Sequence, residues 1–104
     1  MTNFVIAPEV AWEMREVFRW YESQRSGLGG EFLGELDRAI EAVRRAPDAY
    51  LRCYGNFSRF KLARFPYVVF YEWSGEVIYI VGVFHTSRDP GVWPRTLRKR
   101  RKDL

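Results

Sequence analysis

The sequence predicts an α+β domain in the order β-α-α-β-β-β, with a helical hairpin packed on a small antiparallel sheet. Three observations predict it: two stretches with apolar residues at helical spacing, a short glycine-containing connection between them, and strand-like patterns in the second half of the chain. The chain has 104 residues, of which 47% are hydrophobic and 17% aromatic, so it can bury a core within one domain. We expect that domain to span residues 1–94.

A short strand and a helix come first in the predicted order. Residues 3–6 (NFVI) form an apolar run, and Pro8 with Glu9 suits the first turn of a helix. Apolar side chains then recur every three or four positions, at Val10, Met14, Val17 and Tyr21. This helix is predicted to end near residues 26–27 (SG).

A second helix with one apolar face follows. Its apolar positions are Phe32, Leu33, Leu36, Ala39, Ile40 and Val43, and Pro47 stops the pattern. Because the connection over residues 26–30 is short, the two helices are predicted to pack antiparallel as a hairpin that covers an apolar surface.

Strands are predicted to supply that surface. Residues 57–64 alternate, which places Phe60 on one face and Arg59 and Lys61 on the other. Residues 67–73 are apolar on both faces, as is typical of a central strand.

A hairpin turn is predicted between the last two strands. The Ser-Gly pair at 74–75 is a two-residue hairpin signal. With that pair as the loop, Tyr67 faces Gly82 across the ladder. The same register, extended past Pro66, places Arg64 opposite His85.

The basic charge is concentrated at the end of the chain. The sequence has 17 Lys and Arg against 13 Asp and Glu, a net charge of +4. Residues 95–104 (RTLRKRRKDL) carry +5, and the other 94 residues carry −1. A block of like charges is usually a solvated, mobile tail that orders against an acidic partner, either nucleic acid or protein.

Several classes of function are excluded by what the chain lacks. Cys53 and His85 are its single cysteine and histidine, too few to ligate a structural zinc. There is no phosphate-loop pattern and no carboxylate cluster, so we expect neither a metal nor a cofactor. Without a signal peptide or an apolar stretch long enough for a membrane span, we expect a cytoplasmic protein that does not contact membranes.

The end of the last predicted strand holds the candidate site. His85 begins it and Arg88 follows, while Asp89 and Pro90 have the pattern of a helix N-cap and first helical residue. A functional histidine and a hydrogen-bonded structural histidine are both compatible with this position. Nothing in the sequence supports a catalytic pair of His85 with Cys53.

Basic residues near this site have two possible roles. Together they could line an anionic groove on the sheet face that the helices leave open, or they could form a solvated edge that resists aggregation. They are Arg59, Lys61, Arg64 and Arg88.

Four segments carry a further signal: residues 28–32 (LGGEF), 47–50 (PDAY), 64–71 (RFPYVVFY) and 85–93 (HTSRDPGVW). Together they resemble the RelE/ParE toxins of bacterial type II toxin–antitoxin systems. The resemblance implies a helical hairpin on a small antiparallel sheet, and a cognate antitoxin protein that wraps the domain. Family members either cleave mRNA on the ribosome or poison DNA gyrase, which makes gyrase, or the ribosome with mRNA, a second implied partner.

Two positions favour the ParE-like branch. Ribosome-dependent members have an Arg early in the strand that corresponds to residues 67–73, and a Tyr or His near the C terminus for proton transfer. This chain has Val68 at the first position and Val92 or Trp93 near the second, and none of them exchanges a proton near neutral pH. The resemblance therefore implies a growth-inhibiting toxin that poisons gyrase and is neutralised by an antitoxin.

Two alternatives stay open. In a ribonuclease, His85 would be the general base, and Arg64 and Arg88 would stabilise the charge on a phosphorane. An inactive relative would only bind its antitoxin. The residues expected to bind the target are Arg59, Lys61, Arg88 and Trp93, of which the first two resemble the basic pair of the ribonucleases.

Overall fold

The computed structural model describes residues 2–88 and 90–104, within which five strands form one sheet between three helices. The elements are β1 (Asn3–Ile6), α1 (Pro8–Gln24), α2 (Leu28–Arg45), β2 (Arg52–Tyr54), β3 (Phe57–Lys61), β4 (Tyr67–Trp73), β5 (Val77–His85), a 3-10 turn (Pro90–Val92) and α3 (Trp93–Lys102). The predicted α+β class is confirmed. Asp89, the predicted N-cap, lies outside the described residues.

The helical hairpin forms where the apolar spacing predicts it. Gly27 lies between the helices with φ +91, a conformation that side chains with a Cβ rarely adopt. The Glu22 carboxylate accepts hydrogen bonds from the backbone N–H groups of Gly27 (3.2 Å) and Gly29 (2.8 Å), which lowers the pKa of Glu22. A Cβ at Gly29 would lie 2.6 Å from the backbone oxygen of Phe18, so glycine is what lets the helices approach this closely.

The sheet is mixed, which corrects the prediction of an antiparallel one. Its strand order is β1-β5-β4-β3-β2, and β1 pairs with β5 in parallel while the other pairs are antiparallel. The short strand β2, which the sequence patterns missed, runs opposite to β1. Three successive hairpin turns from β2 then bring β5 back to the direction of β1, at the edge where the chain started.

The predicted register of the last hairpin is wrong. Tyr67 pairs with His85, and Phe70 pairs with Gly82. One cause is the loop. The backbone N–H of Ser74 donates to the carbonyl of Val77 at 3.0 Å, so the two loop residues are 75 and 76, one position later than predicted. The other cause is a bulge in β5 beside Phe70, which shifts the pairing by one further residue. Arg64 therefore has no ladder partner in His85.

Two separate apolar clusters lie on the two faces of the sheet. The hairpin-side core lies under α1 and α2; among its fully buried members are Val10, Phe32, Leu36, Leu62, Val69, Tyr71, Ile78 and Ile80. The α3-side core consists of Phe57, Val68, Phe70, Val81, Phe84, Trp93 and Leu97. The predicted division of β3 is confirmed: Phe60 packs on the hairpin side, and Arg59 pairs with Phe70 and Lys61 with Val68 on the other.

The C-terminal residues form a docked helix, which corrects the prediction of a solvated tail. Leu97 is fully buried, and the Trp93 ring stacks on Phe84 with 5.7 Å between centroids. Gly82 makes room for this contact, because a Cβ there would lie 3.0 Å from the Leu97 side chain. Ion pairs complete the docking of α3.

Those ion pairs join α3 to distant parts of the chain. Arg100 binds the Glu13 carboxylate of α1 through two hydrogen bonds of 2.9 and 2.7 Å, and it also donates to the Val81 carbonyl at 3.1 Å. Arg101 donates to Glu72 at 2.6 Å and covers the ring of Tyr79. The sequence alone predicts a solvated segment here because the carboxylates that pair with Arg100 and Arg101 lie far away in the sequence.

Candidate functional site

The three residues proposed as a ribonuclease centre do not converge. His85 lies at the hairpin-side face, with its ring edge-on to Tyr67 at 5.2 Å between centroids. Arg88 lies on the opposite side of the sheet, where its guanidinium stands 4.9 Å from the centre of the Phe84 ring. Because β5 has a bulge beside Phe70, a strict alternation of faces along the strand would place His85 on the wrong face, together with Tyr79 and Val81.

Local contacts hold the His85 ring. The backbone N–H of Ser87 donates to Nδ1 at 3.0 Å, and the Ser87 hydroxyl lies 2.7 Å from the same nitrogen. Because Nδ1 accepts a hydrogen bond, the neutral ring carries its proton on Nε2. This arrangement matches the structural alternative for His85.

Arg64 is committed to the helical hairpin. Its guanidinium pairs with Glu31 at 2.8 Å, and its backbone N–H donates to the buried carboxylate of Glu35 at 3.0 Å. The hydrogen bond from Arg64, with a second from Arg25, lowers the pKa of Glu31. Arg64 therefore links the β3–β4 connection to α2, and its guanidinium pairs with Glu31 rather than lying beside His85 or Arg88.

A basic depression lies on the α3 side of the sheet. It has a volume of about 370 Å³ and is lined by Arg59, Lys61, Val68, Thr86, Pro90 and Trp93. Three of the four residues predicted to bind a target line it, and Arg88 lies on the same side over the ring of Phe84. Trp93 forms part of the wall of the depression but offers little surface for a target to contact, because it is only 6% exposed and belongs to the core.

The indole nitrogen of Trp93 is a polar atom in an apolar place. Trp93 Nε1 is buried and has no hydrogen-bond partner among the described residues. The Val68 side chain beside the depression is buried as well. Neither Val68 nor Trp93 supplies an acid or a base at the positions where the resemblance would place one.

An aromatic depression on the hairpin side brings His85 together with Trp20, a residue that the sequence analysis did not single out. It measures about 360 Å³ and is lined by Trp20, Tyr21, Pro66, Tyr67 and His85. Trp20 is 57% exposed, and Trp12 on the same helix is 60% exposed. The sequence did contain a signal for this surface, because neither Trp12 nor Trp20 belongs to the apolar face of α1.

A groove beside α3 was also missed. It measures about 580 Å³ and lies between α3 and the turn that joins β2 to β3. Its lining includes Tyr54, Phe57, Arg98, Arg101 and Lys102. Sequence reasoning could not find it, because both β2 and the docking of α3 are needed to form it.

Cys53 is a half-buried residue at the far edge of the sheet. Its Sγ lies 3.5 Å from the carbonyl of Phe57, and burial raises the pKa of the thiol. Strand β2 is three strands away from β5, about 14 Å at the usual spacing, so Cys53 cannot form a pair with His85. Burial disfavours the thiolate that nucleophilic chemistry would need.

The described part of the chain, residues 2–88 and 90–104, has no metal site and no membrane-spanning helix. No group of three or more His, Cys, Asp or Glu residues in this part of the chain could hold a metal ion. None of its helices is long and apolar enough to cross a membrane.

Comparisons with known proteins place the fold and its family. A family model described as "ParE toxin of type II toxin-antitoxin system, parDE" matches residues 4–90. Among solved structures, a chain of the chromosomal ParDE TA system from P. aeruginosa is similar, with a TM-score of 0.72 at 10% sequence identity. The match covers 82% of this chain and 96% of that one; at such low identity it shows the fold alone. A search of curated proteins found no match.

Proposed function

The chain belongs to the ParE toxin family of type II toxin–antitoxin systems, and from this premise we propose that it arrests growth by poisoning DNA gyrase. We further propose that a cognate antitoxin protein neutralises it, and that it acts in the cytoplasm, where gyrase works on DNA. The action proposed is tight binding to the target rather than catalysis.

The distribution of the candidate catalytic groups supports this proposal. His85 and Arg88 lie on opposite sides of the sheet, and Arg64 is paired with Glu31. General acid–base catalysis needs its groups within hydrogen-bond reach of one reacting bond. A toxin that acts by binding needs only a surface, and the α3 side of the sheet offers a basic one.

The antitoxin is proposed to bind on the hairpin side. Exposed Trp20 and half-buried Tyr67 border one aromatic depression, and Trp12 extends the exposed aromatic surface along α1. Aromatic side chains of this kind are the usual anchors of protein interfaces. The antitoxin and the target would then occupy different faces of the sheet.

Toxicity is the first test. The chain is expressed from a tightly controlled promoter, alone and together with the neighbouring reading frame. Growth arrest that the neighbouring frame relieves supports the proposal. Unimpaired growth at high soluble expression contradicts it.

The target is tested separately with purified protein. Inhibition of gyrase supercoiling, or trapping of cleaved DNA, with mRNA left intact on the ribosome, supports gyrase poisoning. Cleavage of ribosomal A-site mRNA would overturn it in favour of the ribonuclease alternative, especially if His85→Ala and Arg88→Ala abolish the cleavage.

The antitoxin surface has its own matched variants. Trp20→Ala should weaken antitoxin binding by at least about tenfold, as expected for an interface anchor, and should leave toxicity in place. Leu51→Ala is the control, because Leu51 is also an exposed large apolar residue but lies outside this depression. Equal loss of neutralisation in both variants would disprove the proposed docking place.

A further inference from the structure

The outer face of α3 is a strongly basic surface outside the family match, which ends at residue 90. Helix α3 has six basic residues and no acidic one. Four of the six are exposed: Arg95, Arg98, Lys99 and Lys102. We call these four residues the α3 basic face.

The spacing of the four cations puts them on one side of the helix. Relative to Arg95 they stand at positions i, i+3, i+4 and i+7, which lie on a single helical face. At the usual rise per residue they extend over about 10 Å. The opposite side of α3 holds Trp93 and Leu97 against the sheet, so the cations are carried by a docked, ordered helix.

These cations have no ion-pair partners within the described part of the chain. Carboxylates of the protein bind the other two arginines of the helix: Glu13 binds Arg100, and Glu72 binds Arg101. No described carboxylate lies within ion-pair distance of any member of the α3 basic face. Their charge is therefore directed outward.

Further cations extend the same side of the molecule. Arg59 and Lys61 lie on the α3 side of the sheet, and so does Arg88. The helices on the hairpin side carry net negative charge, because α1 and α2 together have eight carboxylates and five arginines. The protein thus has one face whose field attracts polyanions.

We propose that the α3 basic face binds the phosphate backbone of duplex DNA. From Arg95 to Lys102 it has no exposed apolar side chain. A protein partner is normally held by buried apolar and aromatic anchors, whereas binding to a phosphate backbone draws its free energy from cations that displace counterions. The docked helix also holds its cations in place before binding, which lowers the ordering cost.

This inference goes beyond gyrase poisoning, since a toxin can inhibit gyrase without touching DNA. It concerns binding of DNA by the isolated protein, in the absence of gyrase. A failure to bind DNA would leave gyrase inhibition and toxicity open, and a failure of toxicity would leave DNA binding open. The two proposals can therefore fail independently.

The test measures binding of the full chain, made by cell-free synthesis, to a fluorescein-labelled DNA duplex of two helical turns. Affinity is recorded by anisotropy between about 50 and 200 mM salt, a range over which phosphate contacts weaken steeply. The variant replaces all four members of the α3 basic face with Gln. It should bind at least about tenfold more weakly at the lowest salt, with the slope of log K against log salt reduced by about three to four.

The matched control removes the same charge from the hairpin. It replaces four exposed arginines of α1 and α2 with Gln: Arg15, Arg19, Arg38 and Arg45. Wild-type binding retained by this control and lost by the α3 variant supports the proposal. Equal loss in both variants overturns it, because net charge alone would then explain binding.

Two further outcomes would also overturn the proposal. One is that the wild-type chain fails to bind the duplex at the lowest salt. The other is that polyglutamate binds at least as tightly as the duplex and depends on the same four cations, which would identify an acidic polypeptide as the partner. Circular dichroism of each variant checks that the fold is intact, as expected for substitutions at exposed positions.

Discussion

The two faces of the sheet are covered in different ways. On the hairpin side, α1 and α2 bury a large apolar cluster that includes Phe32 and Leu36. On the other side, α3 places only Trp93 and Leu97 in the core, and the ion pairs of Arg100 and Arg101 supply the rest of its attachment. One face depends mainly on the hydrophobic effect, and the other combines it with charge pairing.

This difference explains why the spacing of apolar residues does not predict helix α3. Apolar residues at helical spacing are required only where burial of apolar surface holds the helix in place. Helix α3 meets its sheet with two apolar side chains and binds carboxylates with two of its cations. Its sequence therefore has the composition of a solvated segment, although it is docked.

The largest predicted effect is on the hairpin side. Phe32 is fully buried and contacts the rings of Tyr21, Phe65 and Tyr67. Phe32→Ala should lower the free energy of unfolding by about 3–5 kcal/mol, because it removes apolar burial and leaves a cavity. Chemical denaturation measures this change, with Leu51→Ala at an exposed site as a control expected to stay within about 0.5 kcal/mol.

The next effect breaks the ion pair that attaches α3. The Glu13 and Arg100 side chains are only 13% and 12% exposed, so Glu13→Gln leaves a largely buried guanidinium without its counter-charge. We expect a loss of about 2–3 kcal/mol, somewhat below the full penalty for a buried pair because α3 can undock and rehydrate Arg100. Faster amide exchange over residues 95–102, with the hairpin still protected, would show that undocking.

A surface pair supplies the control for that variant. Glu16 and Arg19 form an ion pair on α1 at 3.0 Å, and both are exposed. Glu16→Gln should change stability by less than about 0.5 kcal/mol, since solvent screens exposed pairs. Equal effects of the two glutamine variants would refute the idea that the pairing of Arg100 anchors α3.

A smaller effect tests how closely α3 approaches the sheet. A Cβ on Gly82 would lie 2.7 Å from the Phe84 ring and 3.0 Å from Leu97, so Gly82→Ala must displace one of them. We expect a loss of about 1–3 kcal/mol from overpacking. Gly30→Ala in α2 is the contrast: a Cβ there meets nothing within 4 Å, and the change should stabilise by up to about 1 kcal/mol.

The smallest effect is a hydroxyl in the hairpin-side core. Tyr71 donates to the Pro47 carbonyl at 2.6 Å, and Tyr71→Phe should cost about 1–2 kcal/mol by leaving that oxygen unpaired. Burial raises the pKa of Tyr71 from 10.0 to about 12. The stability that the protonated Tyr71 hydroxyl contributes to the folded state is therefore full below pH 10 and is lost as the pH rises towards 12.

Denaturation across that pH range checks the assignment. The wild type should lose more stability between pH 10 and 12 than Tyr71→Phe does. Part of the loss should persist in the variant, because burial also raises the pKa values of Tyr21 and Tyr67. Identical alkaline profiles for the two proteins would be inconsistent with a role of Tyr71.

Most of the fold was predictable from local patterns. The apolar spacing of α1 and α2, the alternation along β3 and the apolar run of β4 each follow from which side of one element is buried. The candidate site was less accessible. The structure agrees with the predicted face of Arg59 and Lys61. His85 and Arg88, which the sequence groups in one candidate site, lie on opposite sides of the sheet.

Local sequence patterns suffice to predict the helical hairpin, the central strands and the basic character of the C terminus, because burial and charge leave their pattern within a few residues. The parallel pairing of β1 with β5, the bulge that sets the face of His85, and the docking of α3 depend instead on tertiary contacts. A shift of one residue in a strand changes every pair that it makes with the neighbouring strand. The Glu13 carboxylate that binds Arg100 lies 87 positions away in the sequence. Such contacts exist only once the chain has folded, so no local pattern encodes them.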